Sequence, residues 1–242
     1  MSGFSSRWLD LREPVDHAAR SENIIFALCH CFLNHDRIAI TDIGSGTGST
    51  IRALKSYLPD VVWHLIDHDD SLLQEARKHA AGQAVEFTKV DLAENLAPIA
   101  SPRPDIVTTS AFLDLVSADW LERLVEFLKD EQLPFYAALT YDGRAFTAPH
   151  CEDEERVITA FNQHQRTDKG FGPALGPQAA SLALRLFEEA GYVVTMINPT
   201  GTHQPGIQIF RRCCSKGGRT QRPRLSPARR KKSTNGLKTA SA

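Results

Sequence analysis

The chain reads as an α/β domain built on an open sheet. Near-continuous apolar runs rich in β-branched residues alternate with helical patterns, and the first such run ends in a glycine-rich turn. A 42% hydrophobic share over 242 residues supports one substantial core and excludes a disordered chain.

The N-terminal piece reads as helical. Pro14 suits a first helical turn, and the apolar series runs through Ala18, Ala19, Ile24, Ile25, Ala27 and Leu28. Arg37 to Ile43 is the first strand, followed by the turn Gly44-Ser45-Gly46-Thr47-Gly48 and a helix with Ile51, Leu54 and Leu58 at helical spacing. Val61 to Ile66 makes a second buried strand, and a capped helix begins at Asp70. Strands follow at Val85 to Val90, Pro104 to Thr109 and Pro134 to Thr140, with a helix over Trp120 to Leu128. Such alternation of apolar strands and helices predicts a mainly parallel sheet covered on both faces.

The rhythm breaks after the fifth strand. A polar helix around Asp153 to Gln165 and the loop Arg166 to Pro173 form a long connection at the strands' C-terminal edge, the natural position for a lid or substrate-shaping element. Pro177 to Ala190 reads as a helix closed by Gly191, and Tyr192 to Ile197 and Gly206 to Phe210 read as strands.

Charge divides the chain. Residues 211–242 carry eleven Lys or Arg and no acid, which leaves the first 210 residues with 17 basic against 29 acidic side chains. That basic tail has too few apolar residues to offset its ordering entropy, so a folded domain over 1–210 and a disordered tail over 211–242 are expected. Such a tail suits a nucleic-acid backbone, but it lacks stacking aromatics and any reader module, so nucleic acid is the lesser partner expectation. The five cysteines are odd in number and lack zinc spacing, which predicts reduced thiols and no metal site. With no apolar run near the roughly 20 residues that cross a bilayer and no apolar secretory segment, the expectation is a cytoplasmic protein without membrane association.

Open parallel sheets bind ligands beyond the carboxyl ends of their strands, which is where the glycine turn falls. Glycine there lets a ligand approach bare backbone. The nicotinamide spacing G-x-G-x-x-G fails, because Ser49 or Ile51 stands where the third glycine belongs, and no Gly-Lys-Ser/Thr follows for a P-loop. Asp42, two residues before the first glycine, would repel a pyrophosphate and suits a zwitterionic or cationic ligand.

Asp42-Ile43-Gly44-Ser45-Gly46-Thr47-Gly48 resembles the first motif of the class I S-adenosylmethionine-dependent methyltransferases, an acid followed by G-x-G-x-G after the first strand. The resemblance covers roughly Arg37 to Gly143 in motif order. It implies a Rossmann-like open sheet, mainly parallel, with an antiparallel C-terminal strand and helices on both faces. It also implies S-adenosyl-L-methionine as cofactor and a methyl acceptor, read here as a small molecule. Asp67 would take the ribose hydroxyls, since a carboxylate accepts two hydrogen bonds at once. Asp91 would meet the adenine amino group and Leu92 the ring, although Asp91 with Glu94 also fits a capping box. Ser45, His68 and Ser110 complete the implied donor set. Arg12 and Arg20 are candidates to grip the donor's carboxylate, with surface salt bridges as their alternative role.

Methyl transfer from a sulfonium requires positioning and dryness more than an acid/base triad. If the acceptor is a hydroxyl, a base helps; Asp114, Tyr141 and Asp142, then His164 and Asp168, are the candidates. Asp114 could equally cap the helix that follows it. Asn-Pro-Pro-Tyr, the signature of relatives that methylate amide or base nitrogens, is absent after the fourth strand. Two rival readings stay open: a donor-binding or nucleic-acid-associated protein without turnover, and a nicotinamide oxidoreductase. The methyl acceptor, the methylated atom and the oligomeric state are not legible.

Overall fold

Period-two alternation along the strands decides how the layers pack. The computed structural model describes residues 4–58, 60–145, 152–197 and 206–210; the basic tail lies outside the described residues. Five strands form the parallel body of the sheet: β1 (Arg37–Ile43), β2 (Asp60–Asp67), β3 (Val85–Lys89), β4 (Ile106–Ser110) and β5 (Phe135–Ala138). With β6 (Val193–Ile197) and β7 (Gly206–Phe210) the order is β3-β2-β1-β4-β5-β7-β6, β7 running antiparallel to both neighbours.

Alternate strand residues enter opposite cores. Ile38, Ile40, Leu65 and Tyr136 face one side, packed by helices α2 (Glu22–Cys31), α3 (Ser49–Leu54) and α4 (Asp70–His79). Ile43, Ile66, Val107 and Phe135 face the other, packed by α5 (Ala118–Asp130) and α7 (Ala179–Glu189). Burying both faces is what a parallel sheet requires. Phe135 and Phe187 stack at 5.3 Å between sheet and α7, and each fully buried ring of this kind contributes about 1.5–3 kcal/mol.

The N-terminal segment departs from expectation. It forms two helices, α1 (Ser6–Ala18) and α2, broken at Arg20-Ser21. Ser5 caps α1 by accepting from the Trp8 N–H, so the helix starts early and Pro14 falls in its interior instead of its first turn. Elsewhere caps settle two ambiguities. Asp69 accepts from Ser71 and Leu72 to cap α4, and Ser117 accepts from Trp120 to cap α5. Neither Asp67 nor Asp114 is needed as a helix cap. The lid helix α6 (Glu154–Gln165) buries no residue in the core.

The chain builds β1 to β3 toward one edge and then β4 and β5 toward the other, so its direction reverses between β1 and β4. A crevice opens at such a point, beyond the strands' carboxyl ends. Among the described residues no helix is long and apolar enough to cross a membrane.

Candidate active site

The turn after β1 closes tightly because its glycines adopt positive φ: +60° at Gly44, +53° at Gly46 and +79° at Gly48. A Cβ added at Gly44 would sit 2.5 Å from the Phe112 ring, so the bare backbone permits both the bend and the approach of that aromatic. The turn is tied to the end of β2 at two points. The Ser45 N–H donates to the Ile66 carbonyl at 3.1 Å, and the Gly46 N–H donates to Asp67 Oδ2 at 2.8 Å. Asp67 Oδ1 accepts from the Asp69 N–H at 2.9 Å. His68 Nδ1 lies 3.4 Å from the same oxygen, and that carboxylate raises the His68 pKa above its ordinary value.

A cleft opens over this junction. Gly44, Ser45, Gly46, Asp67, His68, Leu92 and Ser110, seven of the expected donor residues, share its wall. Three do not. Asp42 is buried beneath the turn, accepting from Thr108 Oγ1 at 2.7 Å. Burial pushes its pKa up to about 6, against the lowering effect of the Thr108 bond and of Arg20. Gly48 is the N-cap of α3, its open side turned toward Leu65 and Ala76. Asp91 is exposed; its carboxylate accepts from the Ala93 N–H at 2.9 Å in a local turn, and the residues that follow form no α-helix, so the capping box does not form.

Several wall residues carry no local signal in the sequence. Phe112 packs edge-on against Trp120 and Phe171, and Trp120 Nε1 donates to the Leu92 carbonyl at 2.6 Å. This aromatic group joins the β4 loop, α5 and the loop after α6 to the segment that follows β3. From α1 come Phe4 just ahead of it, Leu9, Arg12 and Asp16. Arg12 Nε pairs with Asp16 at 2.7 Å. Arg20, in contrast, is buried and is not among the residues lining this cleft: it donates to Ser110 Oγ at 2.9 Å and Tyr136 Oη at 3.3 Å. Its expected alternative, a surface salt bridge, is replaced by an interior bond network, because Arg20, at the break between α1 and α2, lies against the central strands β4 and β5.

A second cavity of about 700 Å³ adjoins the first. Phe4, Arg12, Asp16, Ala111, Leu115 and Lys169 line both, forming a shared partition. Of the base candidates, Asp114, Tyr141, His164 and Asp168 line this second cavity. Asp142 does not; it is turned to Arg144, at 2.5 Å. Asp114 is buried, its Oδ1 without a hydrogen-bond partner. Burial raises its pKa to about 6, while backbone N–H groups of Asp114 and Tyr141 and the charge of Arg12 act in the opposite sense. Gly176 N–H to Asp114 O at 2.9 Å and Leu175 N–H to Val116 O at 2.8 Å hold its segment in place. Ala111 (φ +51°) and Leu139 (φ +58°), at the ends of β4 and β5, both line this cavity in the left-handed region, which costs a non-glycine residue about 1–2 kcal/mol.

Residues 40–131 match the family described as Methyltransferase domain. That matched segment contains the turn, Asp67, Asp114 and the aromatic Phe112–Trp120 pair. No curated protein matches the chain. Among solved structures it is similar to the S-adenosylmethionine-dependent methyltransferase SibL in its apo form, at 20% identity and TM-score 0.55, over 85% of this chain and 55% of that one. It is similar to an O-methyltransferase family protein from Burkholderia thailandensis, at 16% identity and TM-score 0.57, over 86% and 60%. It is also similar to magnesium protoporphyrin IX methyltransferase from Synechocystis PCC 6803 with bound SAH, at 13% identity and TM-score 0.55, over 87% and 89%. The chain thus spans little more than half the length of SibL. At these identities the likeness is one of fold.

Proposed function

We propose that the protein transfers the methyl group of S-adenosyl-L-methionine to a small-molecule acceptor, the donor in the first cleft and the acceptor in the second cavity. The observation that supports this reading is the hydrogen bond from the Gly46 N–H to the Asp67 carboxylate, which joins bare backbone and an acid suited to ribose hydroxyls at one point of a cleft.

The residues present fit that donor. Asp67 uses one lone pair of each oxygen on backbone N–H groups and keeps others for ribose hydroxyls. Leu72, Val90, Leu92 and Phe112 supply an apolar lining suited to a base. Ser45, Ser49, Thr50 and Ser110 offer hydroxyls, and Arg12 a guanidinium, to an amino-acid end. Asp42 acts from beneath, holding the turn through Thr108, and Arg20 orients Ser110. When bound, the donor supplies an activated methyl group on a positively charged sulfur. The chain's own contribution is alignment across the shared partition and exclusion of water by Phe4, Leu9 and Phe171. Asp114 is the residue placed to take a proton from the acceptor. The proposed domain extends over residues 1–210, with α1 and α2 as its cover.

Calorimetry with S-adenosylhomocysteine tests this reading. Micromolar binding, about −8 kcal/mol, is expected. Tight binding of NAD(H) that S-adenosylhomocysteine fails to displace would instead favour the nicotinamide reading.

A further inference from the structure

The second cavity has a chemical character of its own. Beside Leu115, Leu139 and Tyr141 from the body, part of its apolar surface comes from two helices that bury no residue in the core: Trp8 and Val15 on α1, and Phe161 on α6. Trp8 is 52% exposed and Phe161 43%, large apolar groups left facing a cavity. Phe161 meets the Tyr141 ring edge-on at 5.5 Å, and the Tyr141 hydroxyl donates to Asn162 Oδ1 at 2.7 Å, so both rings are fixed.

Most polar groups around this space already have partners. Arg12 and Asp16 pair with each other. Asp168 Oδ1 accepts from the N–H groups of Gly170 and Gly172, and Lys169 donates to Thr167 Oγ1. His164 stands on α6 at the rim. Asp114 differs in being both buried and left with an oxygen that accepts nothing. Leaving a buried acceptor unsatisfied is costly, and a ligand's donor would relieve that cost.

Resting on the methyl-transfer reading above, we infer that the acceptor is a planar aromatic molecule bearing a phenolic hydroxyl, held against Trp8 and Phe161 with its O–H donated to Asp114. Aromatic walls favour a flat ring over a saturated one of equal size, because ring faces and edges attract beyond area burial. The hydroxyl is selected by Asp114, whose free oxygen would accept its O–H. On the partition Arg12 is neutralised by Asp16, and Lys169, bound to the neutral Thr167 hydroxyl, would stabilise oxygen as it becomes anionic. In the transfer a bond forms between the phenolic oxygen and the methyl carbon as the carbon–sulfur bond breaks. The electron pair of that bond stays on sulfur, and the hydroxyl proton passes to Asp114.

The test uses the full chain saturated with S-adenosylhomocysteine for binding, or supplied with S-adenosyl-L-methionine for turnover. The probes are 2-naphthol, catechol and 8-hydroxyquinoline, against 2-decalol and benzylamine. At least one phenol is expected to bind saturably and to be methylated at least about tenfold faster than either comparison compound. Trp8→Ala and Phe161→Ala, both at exposed positions, should each weaken phenol binding at least about fivefold. Asp114→Asn should lower kcat at least about 100-fold while S-adenosylhomocysteine affinity stays unchanged, which also reports an intact fold. If the product binds but no phenol does, if decalol or benzylamine is preferred, or if phenol affinity ignores Trp8 and Phe161, the substrate assignment is wrong and the donor site stands. If S-adenosylhomocysteine itself does not bind, the methyl-transfer reading fails first.

Discussion

Replacing Gly44 with alanine separates two costs that glycine avoids. The first is backbone strain: at φ +60° an L-residue loses about 1–2 kcal/mol. The second is collision, since the new methyl would lie 2.5 Å from Phe112 Cδ2 and 2.9 Å from two further ring atoms. Phe112 cannot simply step aside, because Trp120 and Phe171 hold it at ring distances of 5.6 and 5.4 Å. Overpacking of this kind costs about 1–3 kcal/mol, for a total of about 2–5 kcal/mol. Gly82 provides the control: its φ is +82° and a Cβ there meets nothing within 4 Å, so Gly82→Ala carries the strain alone. Chemical denaturation of both variants should show Gly44→Ala less stable than Gly82→Ala by about 1–3 kcal/mol. Adding Phe112→Ala to Gly44→Ala should cost less than Phe112→Ala costs the parent chain. Equal destabilisation of the two glycine variants would refute the argument that Phe112 forbids a side chain at the turn.

Three further outcomes follow from the same geometry. Asp67→Ala removes the acceptor for the Gly46 and Asp69 N–H groups and should weaken S-adenosylhomocysteine binding by at least about 1–2 kcal/mol in calorimetry; unchanged affinity would contradict the ribose assignment. The Asp42 pKa is raised from 3.8 to about 6 in the fold, so its ionisation opposes folding, and the stability present below pH about 4 is lost as pH rises through about 6. Relative to the parent chain, Asp42→Asn should therefore gain up to about 3 kcal/mol between those pH values, measured by urea titration across pH; a flat difference would show that Asp42 ionises freely. Asn162 accepts from Tyr141 and donates to the Gly143 carbonyl at 3.1 Å, so Asn162→Ala should loosen α6 by about 1 kcal/mol, seen as faster amide exchange along residues 154–165 with exchange in β1 and β4 unchanged.

What the sequence discloses depends on the range of the physics involved. Strand and helix identity, the glycine turn and Asp67 are local patterns, and the sheet turns the separation between Gly46 and Asp67 into a direct hydrogen bond between neighbouring strand ends. Asp91 with Glu94 has the spacing of a capping box, yet the chain there makes only a short turn and no α-helix follows, so local spacing alone did not decide it. Pro14 was uninformative for a similar reason: proline marks a helix start only when no stronger cap lies upstream, and Ser5 does. Phe112 lies two residues before Asp114 in the segment after β4, yet nothing local distinguishes it from a core aromatic. Its importance comes from Gly44, 68 residues earlier. The second cavity was illegible as a whole, since it needs α1, the ends of β4 and β5, and α6 to meet.

The buried Arg20 constrains how this molecule can open. Its guanidinium is fastened to β4 and β5 through Ser110 and Tyr136, and drawing it out would leave both hydroxyls without their donor. The helix before it buries no residue and is held to the body by Glu13 on Arg52 and His17 on Ser49. Any swing of that helix must therefore pivot at Arg20, like a shutter hinged at one corner, and it would uncover both compartments in a single stroke. Under the proposed methyl transfer, both ligands would then leave by that one opening.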